Sequence, residues 1–356
     1  MMETRKDIKS MTLEELQNDF KEMGIPKYKA LQVYRWMHRG AASFEEMTDQ
    51  SKETRERLSQ KYYISVAILE KKQVSAYDNT VKYLFSLHNG DCVESVLMAY
   101  HHGYSICIST QVGCRMGCTF CATGKSGFLR DLTPSEMLAQ IQAAQNDQNI
   151  RISNVVLMGM GEPLDNYENV LRFLELVTSE EGMHIGMRHI ALSTCGIVDK
   201  IYDLAERKLQ LTLSVSLHAP NDRIRSQTMP VNKKWGVDEL LKACRYYTET
   251  TGRRISFEYA MIAGLSDSDD CAEELGRKLR GSLSHVNLIP VNDVTGTGYR
   301  KSSGERLRRF VGILEKYGVT ATVRRTLGAD IDASCGQLRR RFKDVGQKKE
   351  ELQTDN

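Results

Sequence analysis

The spacing of apolar positions changes twice along the chain, and each change indicates a different kind of structure. In the first 62 residues apolar side chains recur at helical spacing, for example at Leu13, Leu16 and Phe20, and Thr12 can cap that helix. Turn residues separate this helix from a second one and from a third that opens near Ser51. Residues 1–62 are therefore expected to form a small helical accessory domain.

From about Val66 the apolar period becomes two. Two alternating runs, residues 81–87 and 93–98, flank the sequence His88-Asn89-Gly90-Asp91. Asn-Gly between alternating runs is a strong signal for a β-hairpin. We expect residues 63–100 to form a hairpin that connects the helical domain to the rest of the chain.

Beyond Tyr104, apolar runs rich in β-forming residues alternate with helical segments. Alternating strands and helices are typical of a parallel sheet with crossover helices. The expected fold class is therefore α/β, a partial (β/α)6 TIM-like barrel over residues 101–345, followed by a polar tail at residues 346–356. The predicted strands are residues 105–108, 155–158, 190–192, 213–217, 255–262 and 286–289.

Glycines and polar side chains gather where these predicted strands end. In (β/α) barrels the loops after the strand C-termini build the working face, so these residues should converge on one mouth. Taken singly, each is more often an ordinary loop residue, although Glu162 could pair with a cationic amine. The candidates are Gly161, Glu162, Ser193, Ser216, Leu217, His218 and Asn292.

Composition mainly excludes classes of protein. With 356 residues and 41% apolar content, the chain can bury a sizeable core. No run of about 18 apolar residues is present and the N-terminus lacks the apolar segment of a signal peptide, so we expect a cytoplasmic protein without membrane contact. The net charge of +3 is too small to indicate nucleic-acid binding by itself.

Cysteine usage points to metal chemistry. Nine cysteines is an odd number, and Cys114, Cys118 and Cys121 crowd into one short segment after the first barrel strand. Thiolates so spaced favour zinc or an iron-sulfur cluster. Three ligands leave a fourth coordination position for water or substrate. The spacing alone does not exclude the alternative, a zinc site whose fourth ligand is His101 or His102.

The cysteine motif, with Phe120 before its third cysteine, resembles the signature of the radical S-adenosylmethionine (SAM) superfamily. The resemblance extends in order over nearly the whole chain to the RlmN/Cfr family of RNA methyltransferases, and specifically to its RlmN branch. The matching segments are residues 107–114, 158–164, 192–194, 216–222, 287–292 and 330–338.

The resemblance implies a radical SAM barrel, a 4Fe-4S cluster on Cys114, Cys118 and Cys121, and two SAM molecules per turnover. The SAM would be bound by the strand-end residues above. An external electron donor such as flavodoxin or ferredoxin, and a monomeric enzyme, are further expectations. The helical domain at residues 1–62 would help to bind RNA.

The resemblance also implies the reaction, which is methylation of C2 of adenine 2503 in 23S rRNA and of adenine 37 in tRNAs. Cys335 would carry the methyl group as S-methylcysteine, Glu94 would accept the C2 proton, and Cys107 would release the product through a transient disulfide with Cys335. Without the resemblance, Glu94 on a hairpin strand would more often be a solvated charge.

Three other functions stay open at this point. The segment Cys121-Ala122-Thr123-Gly124 also resembles the Cfr branch, whose members methylate adenine at C8, and Asn292-Asp293-Val294 departs from the RlmN pattern. A non-catalytic RNA-binding protein stabilised by a metal is a second alternative. A radical SAM enzyme with a protein substrate is a third, against which basic clusters such as Arg324-Arg325 speak weakly.

Overall fold

The computed structural model describes residues 5–291, 298–325 and 327–331, and it begins with a small helical unit. The unit contains β1 (Lys6–Asp7), α1 (Leu13–Glu22), α2 (Lys27–Arg39), α3 (Lys52–Lys61) and β2 (Tyr62–Tyr63). Thr12 caps α1 by accepting the Glu15 amide, and the Glu15 side chain accepts the Thr12 amide in return. The predicted helices are therefore present.

The helical unit shares one hydrophobic core with the rest of the molecule. Leu16 and Phe20 of α1 belong to the same buried cluster as the strands that follow. The Lys9 ammonium is buried as well and donates to the Ser65 carbonyl and to Gln142 Oε1. Burial of so many apolar side chains, together with such paired polar groups, holds the unit against the main sheet.

The predicted hairpin is present, but it is part of a larger structure. β3 (Ile68–Val74), β4 (Val81–Ser86) and β5 (Cys92–Tyr100) form an antiparallel meander. β5 then pairs with β6 (Gly103–Cys107), the first barrel strand. Residues 63–100 are thus an extension of the barrel sheet, which corrects the expectation of a mere connection.

The remaining elements alternate as the sequence predicts. In chain order they are β7 (Gln111–Gly113), α4 (Ala122–Lys125), β8 (Phe128–Asp131), α5 (Pro134–Gln148), β9 (Ile152–Leu157), α6 (Tyr167–Thr178), β10 (Ile190–Thr194), α7 (Val198–Glu206), β11 (Thr212–Ser216), α8 (Asp222–Thr228), α9 (Val237–Thr251), β12 (Ile255–Met261), α10 (Asp269–Leu279), β13 (Ser284–Pro290), α11 (Gly304–Lys316) and β14 (Ala321–Val323).

Ten of the strands form one sheet in the order β14-β13-β12-β11-β10-β9-β6-β5-β4-β3. The strands from β6 to β14 are parallel, and those from β6 to β3 are antiparallel. Six parallel strands are each followed by a helix, and the short β14 is added at the end. The prediction of a partial (β/α)6 barrel is confirmed.

The strand register separates the sheet into two faces. Ile106, Val155, Leu192 and Leu213 point to an outer face that is fully buried against the helices. Side chains alternate along a strand, so the residues between them share the opposite, inner face. One row across the inner face is formed by Lys82, Val96, Cys107, Val156, Ala191 and Thr212.

Across the described residues, the helices are all too short or too polar to cross a membrane.

Candidate functional site

The three cysteines lie in a loop that is closed at its base by a small β-ribbon. β7 and β8 pair on either side of residues 114–127, and the Cys114 amide donates to the Gly127 carbonyl at 2.9 Å. The ribbon was missed in the sequence because runs of three or four residues are too short to show a period. The ribbon holds the two ends of the cysteine loop side by side.

The cysteine side chains are partly buried, and this determines their protonation. Burial, followed by neighbouring negative groups, raises the pKa of Cys114 to about 12, although the Met116 amide opposes the shift. Burial also raises the pKa of Cys118, and Cys121 and Cys114 add to the effect. Thiolates so placed would need a metal cation beside them to stay deprotonated.

No three His, Cys, Asp or Glu side chains within the described ranges are grouped around a single-ion position. In an iron-sulfur cluster each thiolate binds a different iron, so its cysteines do not have to meet at one point. The donor set of three thiols on one loop fits such a cluster.

Phe120 and His218 connect the cysteine loop to the end of β11. Their rings meet edge to face with centroids 4.8 Å apart. His218 has a positive φ of 58° and its Nδ1 accepts the Ala260 amide at 2.9 Å. Burial lowers the pKa of His218 to about 3, so the ring is neutral and its proton sits on Nε2.

Gly161 and Glu162 are brought close to the same loop by Gln111. A Cβ on Gly161, which has a φ of +107°, would lie 2.7 Å from the backbone nitrogen of Gln111. Glu162 Oε1 accepts the Leu164 amide at 3.0 Å, and Oε2 accepts the Cys195 amide at 2.7 Å. Glu162 is buried and ties two loops together, and each of its carboxylate oxygens keeps a lone pair beyond the amide hydrogen bond that it accepts.

Ser193 and Ser216 both project from the inner face, because each is an even number of residues from the row of Ala191 and Thr212. Leu217 is different, since its side chain is fully buried in the core. Its amide donates to the Glu258 carbonyl at 3.0 Å. Ser193 and Ser216 therefore share one face, whereas the amide and carbonyl of Leu217 are engaged by Glu258 and Arg225.

Arg225 organises these strand ends and carries no signal in the sequence. Its guanidinium is fully buried. Nη2 donates to the Cys195 and Ser216 carbonyls at 2.6 and 3.1 Å, and Nε donates to the Leu217 carbonyl at 3.0 Å. One side chain thus fixes the ends of β10 and β11 relative to each other.

Glu94 and Cys107 lie on the inner face in neighbouring strands. Cys107 is opposite Val96, and Glu94 precedes Val96 by two residues, so the two side chains are diagonal neighbours. Glu94 is only 2% exposed and forms an ion pair of 3.0 Å with Lys82, which is 0% exposed. The expectation of a solvated Glu94 is wrong, and Lys82 was missed.

Two of the candidate residues, Asn292 and Cys335, lie outside the described residues. The other candidates outside the cysteine loop lie on β5, β6, β10 and β11 and in the loops that follow β9 and β11.

Substitution of Gly113 by alanine is expected to displace the cysteine loop. Its φ is +87°, and an added Cβ would lie 1.9 Å from the Gly127 carbonyl oxygen, so the ribbon must open. We expect Gly113→Ala to hold less than half of the iron of the unaltered protein after anaerobic reconstitution, as measured by iron and sulfide analysis.

Gly127→Ala is the matched control, because Gly127 also has a positive φ, of +70°, but a Cβ there meets nothing within 4 Å. It should cost only about 1 kcal/mol of backbone strain. Equal iron content in the two variants would contradict the role assigned to the ribbon.

Comparison with known proteins identifies the family. Residues 108–275 match the profile of the Radical SAM superfamily, and residues 6–64 match that of the ribosomal RNA large subunit methyltransferase N-terminal domain. A crystal structure of a radical SAM methyltransferase from Sphaerobacter thermophilus is similar, with a TM-score of 0.89 and 43% sequence identity over 93% of this chain and 98% of that one.

Curated relatives agree with these matches. A probable dual-specificity RNA methyltransferase RlmN from Alkaliphilus oremlandii is 51% identical and covers 94% of this chain and 98% of its own length. A protein of the same description from Clostridium novyi is 49% identical over 95% of this chain and 98% of its own. The chain therefore belongs to the RlmN family within the radical SAM superfamily.

Proposed function

We propose that this chain is a radical SAM RNA methyltransferase that methylates C2 of adenine, with adenine 2503 of 23S rRNA and adenine 37 of tRNAs as its targets. The observation that carries the proposal is the placement of Glu94 and Cys107 as diagonal neighbours on one buried face of the sheet. A carboxylate and a thiol kept out of water side by side are suited to proton transfer and thiol exchange.

The cofactor assignment follows from family membership and from the donor set. Cys114, Cys118 and Cys121 would hold a 4Fe-4S cluster. When bound, the cluster and SAM supply a 5′-deoxyadenosyl radical, and two SAM molecules are used in each turnover. The residues proposed to bind SAM are Gly161, Glu162, Ser193, Ser216, Leu217, His218 and Asn292.

The chain itself supplies the remaining chemistry. C2 of adenine is not a nucleophile, so polar methyl transfer cannot reach it. The methyl group carried by Cys335 as S-methylcysteine would instead lose a hydrogen atom to the 5′-deoxyadenosyl radical, and the remaining carbon radical would add to C2. Glu94 then accepts the C2 proton, and the one electron that the radical adduct gives up would return to the cluster. The Cys107 thiolate attacks the Cys335 sulfur, so that the S–S bond forms as the S–CH2 bond breaks, and the released carbon takes up a proton to become the methyl group. The resulting disulfide must be reopened by an external reductant.

Further proposals concern the partners. The target adenine has to leave its stack, which favours a loop nucleotide. Residues 1–62 are proposed to help bind the RNA, and a flavodoxin or ferredoxin to supply electrons to a monomeric, cytoplasmic enzyme. The match of residues 6–64 to a methyltransferase N-terminal domain supports the first of these assignments.

The function is tested with the anaerobically reconstituted enzyme, its RNA and a reductant, followed by mass spectrometry of the nucleosides. We expect 2-methyladenosine from the unaltered enzyme and none from Cys335→Ala. Cys107→Ala should accumulate a covalent enzyme–RNA adduct, because release from Cys335 is blocked.

Cys244→Ala is the matched control, since Cys244 is a buried cysteine of the core and lies on α9. Formation of 8-methyladenosine would show that the chain is a Cfr-type C8 methyltransferase instead. A colourless, zinc-loaded protein that forms no methylated nucleoside would indicate a metal-stabilised RNA-binding protein instead.

A further inference from the structure

The two edges of the ten-stranded sheet are joined by polar contacts rather than by strand pairing. β3 forms one edge and β14 the other, and no pairing between them occurs in the described part of the chain. The turn at residues 75–80, between β3 and β4, nevertheless meets residues 328–330, which follow β14. The partial barrel is therefore bridged across its open side.

The contacts are reciprocal. Asp330 accepts the Ser75 hydroxyl at 2.7 Å with Oδ1 and the Ala76 amide at 2.9 Å with Oδ2. In the opposite direction, Asp78 Oδ2 accepts the Gly328 amide at 2.8 Å. Each segment thus offers a backbone N–H to a carboxylate of the other. We call Ser75, Ala76, Asp78, Gly328 and Asp330 the edge clasp.

Both carboxylates are stabilised in the ionised form, which accepts these hydrogen bonds. The Ala76 amide and then the Ser75 hydroxyl lower the pKa of Asp330. Desolvation alone would raise the pKa of Asp78, but the Gly328 and Thr80 groups outweigh it and lower that pKa. The clasp is therefore made of charge-assisted hydrogen bonds at neutral pH, which are stronger than neutral ones.

Each half of the clasp is close in sequence to a proposed functional residue or its partner. Its turn leads directly into β4, whose Lys82 pairs with Glu94 and stands in the same row as Cys107. Two strand spacings, about 10 Å, separate Lys82 from Cys107. On the other side, Asp330 precedes Cys335 by five residues, a length of chain that reaches at most about 17 Å.

We propose that the edge clasp is a positioning device that anchors the start of the segment carrying Cys335 at the turn leading into β4, the strand whose Lys82 pairs with Glu94. The inference rests on the proposed role of Cys335. A tether of five residues limits how far Cys335 can lie from Asp330 and so raises its effective concentration near Glu94 and Cys107, although no clasp residue touches the substrate. Asp78 and Asp330 are positioning residues in this assignment.

The test uses the full reconstituted enzyme with Asp330→Ala, Asp78→Ala and the double variant. We expect each single variant to lower kcat for 2-methyladenosine formation roughly tenfold, the order expected when charge-assisted hydrogen bonds are lost. KM for RNA should change less than about twofold, because the RNA-binding surface is untouched. The kcat of the double variant should equal that of the single variant with the lower kcat, because either change opens the same clasp.

A second readout is hydrogen exchange at the Ala76 and Gly328 amides, which should accelerate in the variants while exchange in β9 to β12 stays unchanged. Glu70→Ala is the matched control. Glu70 lies on β3 and bonds Ser86 at 2.6 Å, but makes none of the clasp contacts, so its kcat should match that of the unaltered enzyme.

The outcomes separate this inference from the proposed function. Unchanged kcat despite faster exchange at Ala76 and Gly328 would overturn the positioning role. Faster exchange throughout the barrel would also overturn it, because the clasp would then only stabilise the fold. If the unaltered enzyme carries no methyl group on Cys335, or Cys335→Ala still forms 2-methyladenosine, the proposed function fails instead.

Discussion

Replacement of Lys82 by methionine is expected to lower the free energy of unfolding by about 3–5 kcal/mol, because it removes the ammonium that is paired with the buried Glu94 carboxylate. The two side chains are 0% and 2% exposed and 3.0 Å apart. Water cannot replace the lost ammonium in such a site. The change is measured by urea titration of the iron-free protein, so that loss of the cluster does not contribute.

The companion variant Lys82→Met/Glu94→Gln should recover part of this loss, because it removes the buried Glu94 charge as well. Lys72→Met is the matched control. Lys72 is on β3 and pairs with Asp147 at 2.9 Å, but its side chain is 34% exposed, so the change should cost less than about 1 kcal/mol. Equal losses for Lys72→Met and Lys82→Met would refute the argument from burial.

Replacement of Arg225 by methionine is expected to have the second largest effect. The carbonyl oxygens of Cys195, Ser216 and Leu217 would each lose their donor inside the protein. Buried acceptors without donors cost about 1–3 kcal/mol each, so a loss near 3–5 kcal/mol is expected after relaxation. Because the same carbonyls fix the strand ends, SAM affinity should fall at least about tenfold, as measured by equilibrium dialysis.

The stability and SAM affinity of Arg225→Lys should lie between those of the unaltered protein and Arg225→Met. A lysine keeps the positive charge, but it lacks the planar guanidinium that donates to several carbonyls at once. Arg223→Met, two residues earlier on α8, is the matched control, since Arg223 is exposed. SAM affinity in Arg225→Met equal to that of Arg223→Met would show that the guanidinium does not organise the site.

The main architecture could be predicted because it is encoded locally. Continuous apolar runs between helical segments mark the parallel strands, and Asn89-Gly90 marks the turn between β4 and β5. β7, β8 and β14 escaped prediction because each has only three or four residues, too few to show a period. The pairing of β5 with β6 also escaped, since no local pattern specifies which strand lies beside which.

The sequence by itself determined the fold class, the cysteine motif and the strand-end positions of Ser193, Ser216 and His218, because these depend on residue type and spacing along the chain. Only the tertiary structure decided that Glu94 is buried against Lys82, that Arg225 holds two strand ends, and that Asp330 bonds Ser75. These contacts join distant parts of the chain, so they exist only once the register and closure of the sheet have brought the partners together.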